Sequence, residues 1–291
     1  MRNKTNILLL ILILICVAVF FGYRALDAIR TDTQAPEITL GVASPAVSVS
    51  DSKESLLQGV TATDKVDGDV TDSLVIENIH LLDSTGRLSV SYAAFDKSGN
   101  VAKAQQEAHF TDYVPPRFTL TAPLLYRSGI TFDILSNVGA TDLFDGDIQH
   151  RVRATALDSA SLSTTGTHDV QFQVTNSLGD TATIVLPVEV YDSQSYTASV
   201  TLKTYIVYLK AGDSFQPAKY LDTFTLSRAK TELNGRLPNG YSLQTIGDVN
   251  TNIPGVYTVQ YLVTYTEKGA TNSLADRQYT GYSKLVVVVE G

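Results

Sequence analysis

The chain has 291 residues, of which 44% are hydrophobic and 18% charged, and its formal net charge is −8. This length exceeds one ordinary domain and leaves room for two or three. The composition is that of folded protein and excludes global disorder. The acidic excess excludes nucleic acid as a partner, because phosphate binding needs clustered Lys and Arg.

The N-terminal segment is the most apolar part of the sequence. Arg2 and Lys4 precede an uncharged run, residues 7–23, that is rich in Leu, Ile, Val and Phe. At 1.5 Å per residue this run makes a helix of about 26 Å, close to the thickness of a bilayer core. We therefore predict a cytoplasmic N-terminus at residues 1–6 and a transmembrane signal-anchor helix at residues 7–26. The bulk of the chain would then lie outside the bacterial cell membrane as a single-pass protein.

Two alternatives stay open for this segment: a cleaved signal peptide, and lipidation at Cys16. Charged residues follow the apolar run directly, which disfavours cleavage, and the bulky Ile15 disfavours lipidation. Cys16 is the only cysteine, so no disulfide can join the later modules. The lack of disulfides favours a bacterial envelope over a eukaryotic exterior.

The sequence after residue 31 repeats itself. Three pairs of segments correspond: DTQAPEITL at 32–40 with DYVPPRFTL at 112–120, ATDKVDGDV at 62–70 with ATDLFDGDI at 140–148, and DKSGN at 96–100 with NSLGD at 176–180. The pairs occur in one order and at nearly one spacing. They indicate two copies of one module, which usually serves as a rod, a spacer or a set of contact surfaces.

The repeated region has the periodicity of β-strands. Apolar side chains alternate with polar or small ones, and Gly, Asn, Asp and Pro separate the short runs. The clearest alternations are Leu88, Val90 and Tyr92, then Val170, Phe172 and Val174, then Tyr257, Val259, Tyr261, Val263 and Tyr265. The pattern predicts an all-β fold of tandem antiparallel β-sandwiches. We place domain 1 at residues 32–112, domain 2 at 113–192 and a divergent domain 3 at 196–291.

The repeated motifs resemble a bacterial family of immunoglobulin-like surface repeats. The carriers are Ala-Pro-x-Ile-Thr-Leu, then Ala-Thr-Asp-x-x-Asp-Gly-Asp-Val-Thr, then Tyr-x-Ala-x-Asp-x-Ser-Gly-Asn. This pattern is similar to the hyalin-repeat class and to the Ig-like domains of some insecticidal crystal toxins. The resemblance implies tandem Ig-like β-sandwich domains outside a bacterial cell. It implies no single activity, because such modules occur as spacers, adhesive units and accessory domains.

The acidic loops are candidate calcium sites. Each crowds carboxylates around a glycine turn, and calcium prefers six to eight hard oxygen ligands. The candidate ligands are Asp64, Asp67 and Asp69 in the first module and Asp142, Asp145 and Asp147 in the second. If calcium binds, Asp96 or Asn176 from the later turn would complete the shell. The alternative is a structural turn, in which Asp side chains cap local N–H groups and Gly takes a positive φ.

The sequence shows no catalytic motif. Its four histidines are scattered without a metal-binding spacing, and it has neither a nucleophile elbow nor a phosphate-binding glycine loop. These histidines are His80, His109, His150 and His168. We therefore expect a protein that is not an enzyme and has no cofactor, with calcium as the one open case.

Domain 3 carries ten of the fifteen tyrosines. Tyrosine combines a broad apolar face with a polar tip, which suits contacts with protein or carbohydrate. We expect the alternating row that contains Tyr261 to form core. The candidate surface aromatics are Tyr205, Tyr208, Tyr220, Tyr279 and Tyr282. A polar insertion from Gly269 to Thr280 is a further candidate recognition loop.

The sequence thus predicts a membrane-anchored extracytoplasmic repeat protein. Its expected role is a non-catalytic scaffold, spacer or protein-binding and adhesion module of the cell envelope, with domain 3 contacting a protein partner. The alternative is a carbohydrate-binding accessory protein of an envelope enzyme or transporter, which would make a glycan the partner. Nucleic acid is not expected to bind.

Overall fold

The computed structural model describes residues 2–30, 32–157, 162, 164–192, 196–269 and 275–291; within the N-terminal helix it describes the side chains of residues 9–24. The chain forms two compact units, Met1–Tyr113 and Val114–Gly291. The first contains the N-terminal helix and the first module, and the second contains the other two modules. The described residues are mainly β-strand, as the all-β prediction requires.

Helix α1 spans Arg2–Arg30 and therefore extends beyond the predicted residues 7–26 at both ends. In the part of the chain that the structure describes, no helix combines the length and the apolar character needed to cross a membrane. The predicted membrane anchor is therefore not supported.

The first module is a sandwich of two sheets. Its strands are β1 Glu37–Leu40, β2 Ala46–Val47, β3 Val60–Asp64, β4 Gly68–Asp69, β5 Val75–Leu81, β6 Arg87–Phe95 and β7 Val101–Phe110. One sheet has the order β1-β3-β4 and the other β2-β7-β6-β5. Only β2 pairs in parallel, with β7. Two short 3₁₀ helices, Lys53–Leu57 and Thr71–Ser73, connect the sheets.

The second module repeats this topology strand for strand. Its strands are β8 Arg117–Leu120, β9 Leu125–Arg127, β10 Val138–Asp142, β11 Gly146–Asp147, β12 Arg153–Ala156, β13 Gly166–Thr175 and β14 Thr181–Tyr191. The sheets have the orders β11-β10-β8 and β12-β13-β14-β9, again with one parallel pair, β9 with β14. Its 3₁₀ helices are Ile134–Asn137 and Gln149–Arg151. The sequence repeat is therefore a structural repeat.

The third module is built around one long strand. Its strands are β15 Ala198–Leu202, β16 Ile206–Lys210, β17 Leu221–Leu226, β18 Ala229–Glu232, β19 Tyr241–Ile246, β20 Gly255–Glu267 and β21 Arg277–Glu290, with a 3₁₀ helix at Pro217–Tyr220. The sheet order is β18-β17-β15-β21-β20-β19. Strand β21 pairs along its whole length with β20, while its two halves pair in parallel with β15 and β16. One strand thereby joins both halves of the module.

The predicted alternations all point into cores. Leu88, Val90 and Tyr92 are fully buried, and so is Phe172 in the second module. In the third module Tyr261 is fully buried and its hydroxyl donates to the carbonyl oxygen of Pro217 at 3.1 Å. Tyr257 and Tyr265 pack against the same core, as the row was expected to do.

We expect Leu186→Ala to lower the free energy of unfolding by about 2–5 kcal/mol, because it leaves a cavity at a fully buried position of β14. Val185→Ala is the matched control, since this neighbour is 38% exposed and should cost less than about 1 kcal/mol. Urea unfolding of the full chain measures both. Equal losses would contradict the observed alternation.

Candidate functional site

The acidic loops fold as turns that their own carboxylates close. In the first module Asp64 Oδ1 accepts hydrogen bonds from the backbone N–H groups of Val66 and Asp67, at 2.7 and 2.9 Å. Asp142 does the same with Phe144 and Asp145 in the second module. The loop glycines, Gly68 and Gly146, have φ values of 76° and 72°. The turn geometry that the sequence offered as the alternative to calcium is therefore present in both loops.

The other loop carboxylates also bind protein groups. Asp69 and Asp147 each accept from the backbone N–H two residues ahead, at 2.9 Å. Asp67 accepts from the backbone of Lys97 at 2.9 Å. Asp145 accepts from the backbone and the hydroxyl of Ser177, both at 2.6 Å, and pairs with Arg151 at 2.7 Å. These carboxylates tie each loop to its surroundings.

A different set of carboxylates converges in the first module. Asp32 precedes β1, Asp64 ends β3 and Asp96 follows β6, and each offers a carboxylate oxygen within 4.8 Å of the other two. Asp64 and Asp96 are buried, at 7% and 8% exposure, and Asp32 is half-buried. Of the six predicted calcium ligands, only Asp64 belongs to this cluster, which we call the carboxylate cluster.

Two oxygens of the carboxylate cluster have no hydrogen-bond partner among the described residues. They are Asp32 Oδ2 and Asp64 Oδ2, and both are buried. The third member, Asp96, receives hydrogen bonds from the backbone and the side-chain amide of Asn100, at 2.7 and 2.6 Å. The backbone N–H groups of Asp67 and Val66 hold the pKa of Asp64 below its usual value.

The second module resolves the same position differently. Asn176 stands where the first module has Asp96, and its Nδ2 donates to Asp142 Oδ2 at 3.1 Å. This oxygen corresponds to the unpartnered Asp64 Oδ2. Asp112, the sequence counterpart of Asp32, instead accepts from the hydroxyl of Ser48 and the backbone of Val49, at 2.7 and 2.8 Å. One module thus has an amide where the other has a carboxylate.

Sequence reasoning missed Asp32 as a cluster member and assigned Asp96 only a supporting role. Both residues belong to repeated landmarks, so the alignment of the two modules already contained the signal. What it lacked was the antiparallel pairing of β1 with β3, which brings the residues before Glu37 close to Asp64. Sequence neighbours in the loop were the more obvious grouping, and the fold separates them.

The candidate surface tyrosines do not form one surface. Tyr205 is only 9% exposed and belongs to the core, so its prediction as a surface aromatic is wrong. Tyr220 is half-buried and stacks on Phe215, with ring centroids 5.7 Å apart. Tyr208 and Tyr282 contact the second module.

Tyr208 forms part of a polar contact between the second and third modules. Its hydroxyl accepts from the backbone N–H of Phe118 at 2.8 Å, and the Arg117 guanidinium lies 5.0 Å from its ring centroid. Arg117 also makes a forked ion pair with Glu290, with distances of 2.6 and 2.7 Å. Burial raises the pKa of Tyr208 to about 12, so its hydroxyl stays neutral. This contact explains why Tyr208 is not free for a partner.

A second contact between these modules centres on Glu189 of β14. Lys284 forms an ion pair with it, and the Tyr282 hydroxyl donates to the same carboxylate at 3.4 Å. Tyr196 stacks on Tyr282 with ring centroids 5.0 Å apart and nearly parallel planes. Tyr282 is therefore occupied within the protein, and the second and third modules are joined by polar as well as apolar groups.

Three tyrosines share one face of the sheet, where they are half-buried and pack against the core of the third module. Tyr241, Tyr265 and Tyr279 lie directly opposite one another across β19, β20 and β21. Their rings stack with centroids 4.8 and 6.4 Å apart, and Tyr241 meets the buried Phe224 edge to face at 5.3 Å. We call these three residues the tyrosine row. Of its members, sequence reasoning identified only Tyr279 as a surface candidate, because cross-strand register is not visible in a single strand.

A cleft of about 660 Å³ adjoins the tyrosine row. It is lined by two of the tyrosines together with Asn239, Gly240, Ser242, Thr266 and Lys268. The predicted insertion from Gly269 to Thr280 begins beside this cleft. Residues 270–274 of it lie outside the described residues, and residues 277–280 form the start of β21 rather than a loop. The loop prediction is therefore wrong for that end.

No family model matches the chain. An uncharacterized 81.3 kDa protein of Acholeplasma phage L2 is 34% identical over 95 residues, which cover 33% of this chain and 13% of that protein. The chain thus spans a small part of this relative.

Solved structures with similar β-sandwich folds have low overall scores. The CBM51-2 and INT domains of Clostridium perfringens ZmpB, solved with GlcNAc, align with 88% of this chain and 42% of theirs, at 15% identity and a TM-score of 0.22. Protocadherin gamma B2 extracellular cadherin domains 1–5 align with 80% of this chain and 55% of theirs, at 11% identity and a TM-score of 0.17. The human desmocollin-1 ectodomain aligns with 89% of this chain and 62% of its own, at 14% identity and a TM-score of 0.19. Nothing about function follows from these values.

We expect Tyr208→Phe to lower the free energy of unfolding by about 1 kcal/mol, because it removes the hydrogen bonds to the Phe118 backbone and keeps the ring. Tyr196→Phe is the control, since Tyr196 is 38% exposed and retains its stacking. Urea unfolding of the full chain compares them. If the two variants lost the same stability, the proposed role of the Tyr208 hydroxyl would be wrong.

The contacts of Asp145 make the stability of the second module depend on pH. Burial would raise its pKa, but hydrogen bonds from Ser177 and the charge of Arg151 outweigh it, and the pKa is lowered. Its stabilisation is therefore present above the unfolded-state pKa of about 4 and lost as pH falls through the lower folded-state pKa. Asp145→Asn should cost about 1–2 kcal/mol at pH 7 and progressively less below pH 4. The exposed Asp169→Asn is the control, and a cost that does not vary with pH would contradict this assignment.

Proposed function

We propose that this protein is a non-catalytic modular binding protein that serves as a scaffold or spacer and contacts a protein partner through the tyrosine row of its third module. The observation that carries the proposal is the tyrosine row itself. It places three aromatic side chains side by side across adjacent strands, next to a cleft with polar walls. The extracytoplasmic location stays a prediction from the sequence.

A rigid framework supports the tyrosine row. Tyr265 and Tyr279 lie on the two longest strands of the module, which pair from Gly255 with Val289 to Glu267 with Arg277. Buried Phe224 fixes the inner end of the row. The row therefore loses little conformational freedom when it meets a partner, which favours affinity.

The chemistry of the tyrosine row suits a protein surface. Half-buried tyrosines offer apolar area and a polar tip, and such residues dominate the binding energy of many protein interfaces. The Tyr279 hydroxyl donates to Glu267 at 3.2 Å, and Lys268 pairs with Asp276 at 2.8 Å. These charges form a polar rim beside the rings, as interface centres usually have.

The way the polar residues are used supports the proposal of a non-catalytic role. Within the described residues, the loop carboxylates close turns, and the buried His168 places Nε2 2.9 Å from the carbonyl oxygen of Thr164. The remaining histidines are dispersed over the first two modules. Where a carboxylate meets a serine hydroxyl, as Asp145 meets Ser177, the same carboxylate also accepts a backbone N–H, which is the pattern of a structural turn.

Carbohydrate binding is the second candidate, and the cleft favours it. Aromatic rings beside amide, hydroxyl and ammonium groups are the usual elements of a sugar site. Tyr265, Asn239, Ser242 and Lys268 provide one of each kind. A glycan would then replace the protein partner on the same surface.

The two candidates can be separated with one set of variants. A photo-crosslinking residue at the exposed Ser242 should give one defined protein adduct in intact cells, because Ser242 lines the cleft. The same residue at Asp248, which is exposed on the same module, should give none. Tyr279→Ala together with Lys268→Ala should reduce the Ser242 adduct at least tenfold, about 1.4 kcal/mol of binding energy.

Glycan-array binding by the purified full chain tests the other candidate. Binding that is lost in the Tyr279→Ala, Lys268→Ala variant would replace the protein partner with a carbohydrate. Equal crosslinking from Ser242 and Asp248, with no glycan bound, would show that the tyrosine row is not a contact surface. Circular dichroism should confirm that the variant is folded in either case.

A further inference from the structure

The carboxylate cluster of Asp32, Asp64 and Asp96 has no part in the proposed contact surface. It lies in the first module, and the tyrosine row lies in the third. Its members come from three separated places in the sequence, before β1, at the end of β3 and after β6. The fold therefore assembles this cluster, whereas each acidic loop is a product of local sequence.

An unpartnered buried oxygen shows that the carboxylate cluster is incomplete as it stands. The Asp64 side chain is more than nine-tenths buried, and its Oδ1 is fully used by two backbone N–H groups. Its Oδ2 is buried without a partner in the described part of the chain, and so is Asp32 Oδ2. Buried charged oxygens are normally paired with a donor or a cation. The cluster brings carboxylate oxygens of all three residues within 4.8 Å of one another, and carboxylates that are charged together repel.

The second module provides an internal comparison. Its turn has the same backbone pattern, in which the residue at 176, like that at 96, accepts a backbone N–H from four residues ahead. There Asn176 is 4% exposed and gives Asp142 Oδ2 an N–H donor. In the first module Asp96 stands in place of this asparagine, so the N–H donor is missing and a carboxylate is added. A bound cation compensates for both effects.

We infer that the first module binds a hard divalent cation of the calcium class between the carboxylates of Asp32, Asp64 and Asp96. All three ligands are oxygen donors, which favours Ca²⁺ or Mg²⁺ over metals that prefer imidazole or thiolate. Three carboxylates provide fewer than the six to eight oxygens that calcium takes, so water or backbone carbonyl oxygens complete the shell.

The cation would fasten the segment before β1 to the body of the module. Asp32 begins that segment, and the Asn100 side chain already donates to the Asp32 carbonyl oxygen at 3.1 Å. The cation adds a second connection from the Asp32 carboxylate to Asp64 and Asp96. Cation binding thereby reduces the freedom of the chain between residue 32 and β1.

The decisive variant copies the second module into the first. In Asp96→Asn the new amide can donate to Asp64 Oδ2, as Asn176 does to Asp142 Oδ2. We expect this variant to fold and to be at least as stable in chelator as the parent chain. We also expect its calcium affinity, measured by titration calorimetry on the full chain, to fall at least tenfold.

Thermal unfolding of the full chain gives the second readout. Calcium at about 1–5 mM should raise the unfolding midpoint of the parent chain, because a cation that binds only the folded state stabilises it. Asp96→Asn and Asp32→Asn should abolish the rise. Asp69→Asn should keep it, since Asp69 lies in the same acidic loop and caps Thr71 without joining the cluster.

Three outcomes would overturn the inference. The first is identical midpoints of the parent chain in calcium, magnesium and chelator. The second is an undiminished calcium shift in Asp96→Asn. The third is a parent chain that gains stability only as pH falls, which would show that a shared proton rather than a cation compensates the carboxylates.

Discussion

The acidic turn of the first two modules is the constraint on which the local architecture depends. One carboxylate oxygen, from Asp64 or Asp142, receives two loop N–H groups, and a glycine with positive φ lets the chain reverse. Because this oxygen is held, the other oxygen of the same carboxylate must face the turn after β6 or β13. The residue in that turn decides the environment of this second oxygen. Asn176 donates to Asp142 Oδ2, whereas Asp96 leaves Asp64 Oδ2 without a donor.

Much of the fold was predictable from the sequence because it follows from local patterns. The repeat predicted two modules of equal topology, and alternation around Tyr92 and Phe172 predicted their buried strands. Features that depend on strand register were not predictable. The carboxylate cluster needs β1 beside β3, and the tyrosine row needs the register of three strands. Tyr208 faces the second module, a contact that no pattern within its own strand encodes.

The second and third modules are packed against each other rather than being independent domains in a series. Arg117 with Glu290, and Glu189 with Lys284, connect them through charged pairs, and one cluster of buried apolar side chains contains residues of both. Tyrosines expected to meet a partner are used in this junction. The proposed contact surface, the tyrosine row, belongs to the module that these pairs hold against its neighbour.

Asp64 and Asp142 occupy equivalent positions in two copies of one module, but only Asp142 Oδ2 receives an amide donor, and carboxyl-carbon NMR can distinguish the two. The side-chain carboxyl resonances of Asp64 and Asp142 in the full chain can be followed as calcium is added. We predict that the Asp64 resonance shifts until the site is saturated, while the resonance of Asp142, whose Oδ2 accepts from Asn176, stays in place. An Asp64 resonance that does not move, or equal shifts at both residues, would contradict it.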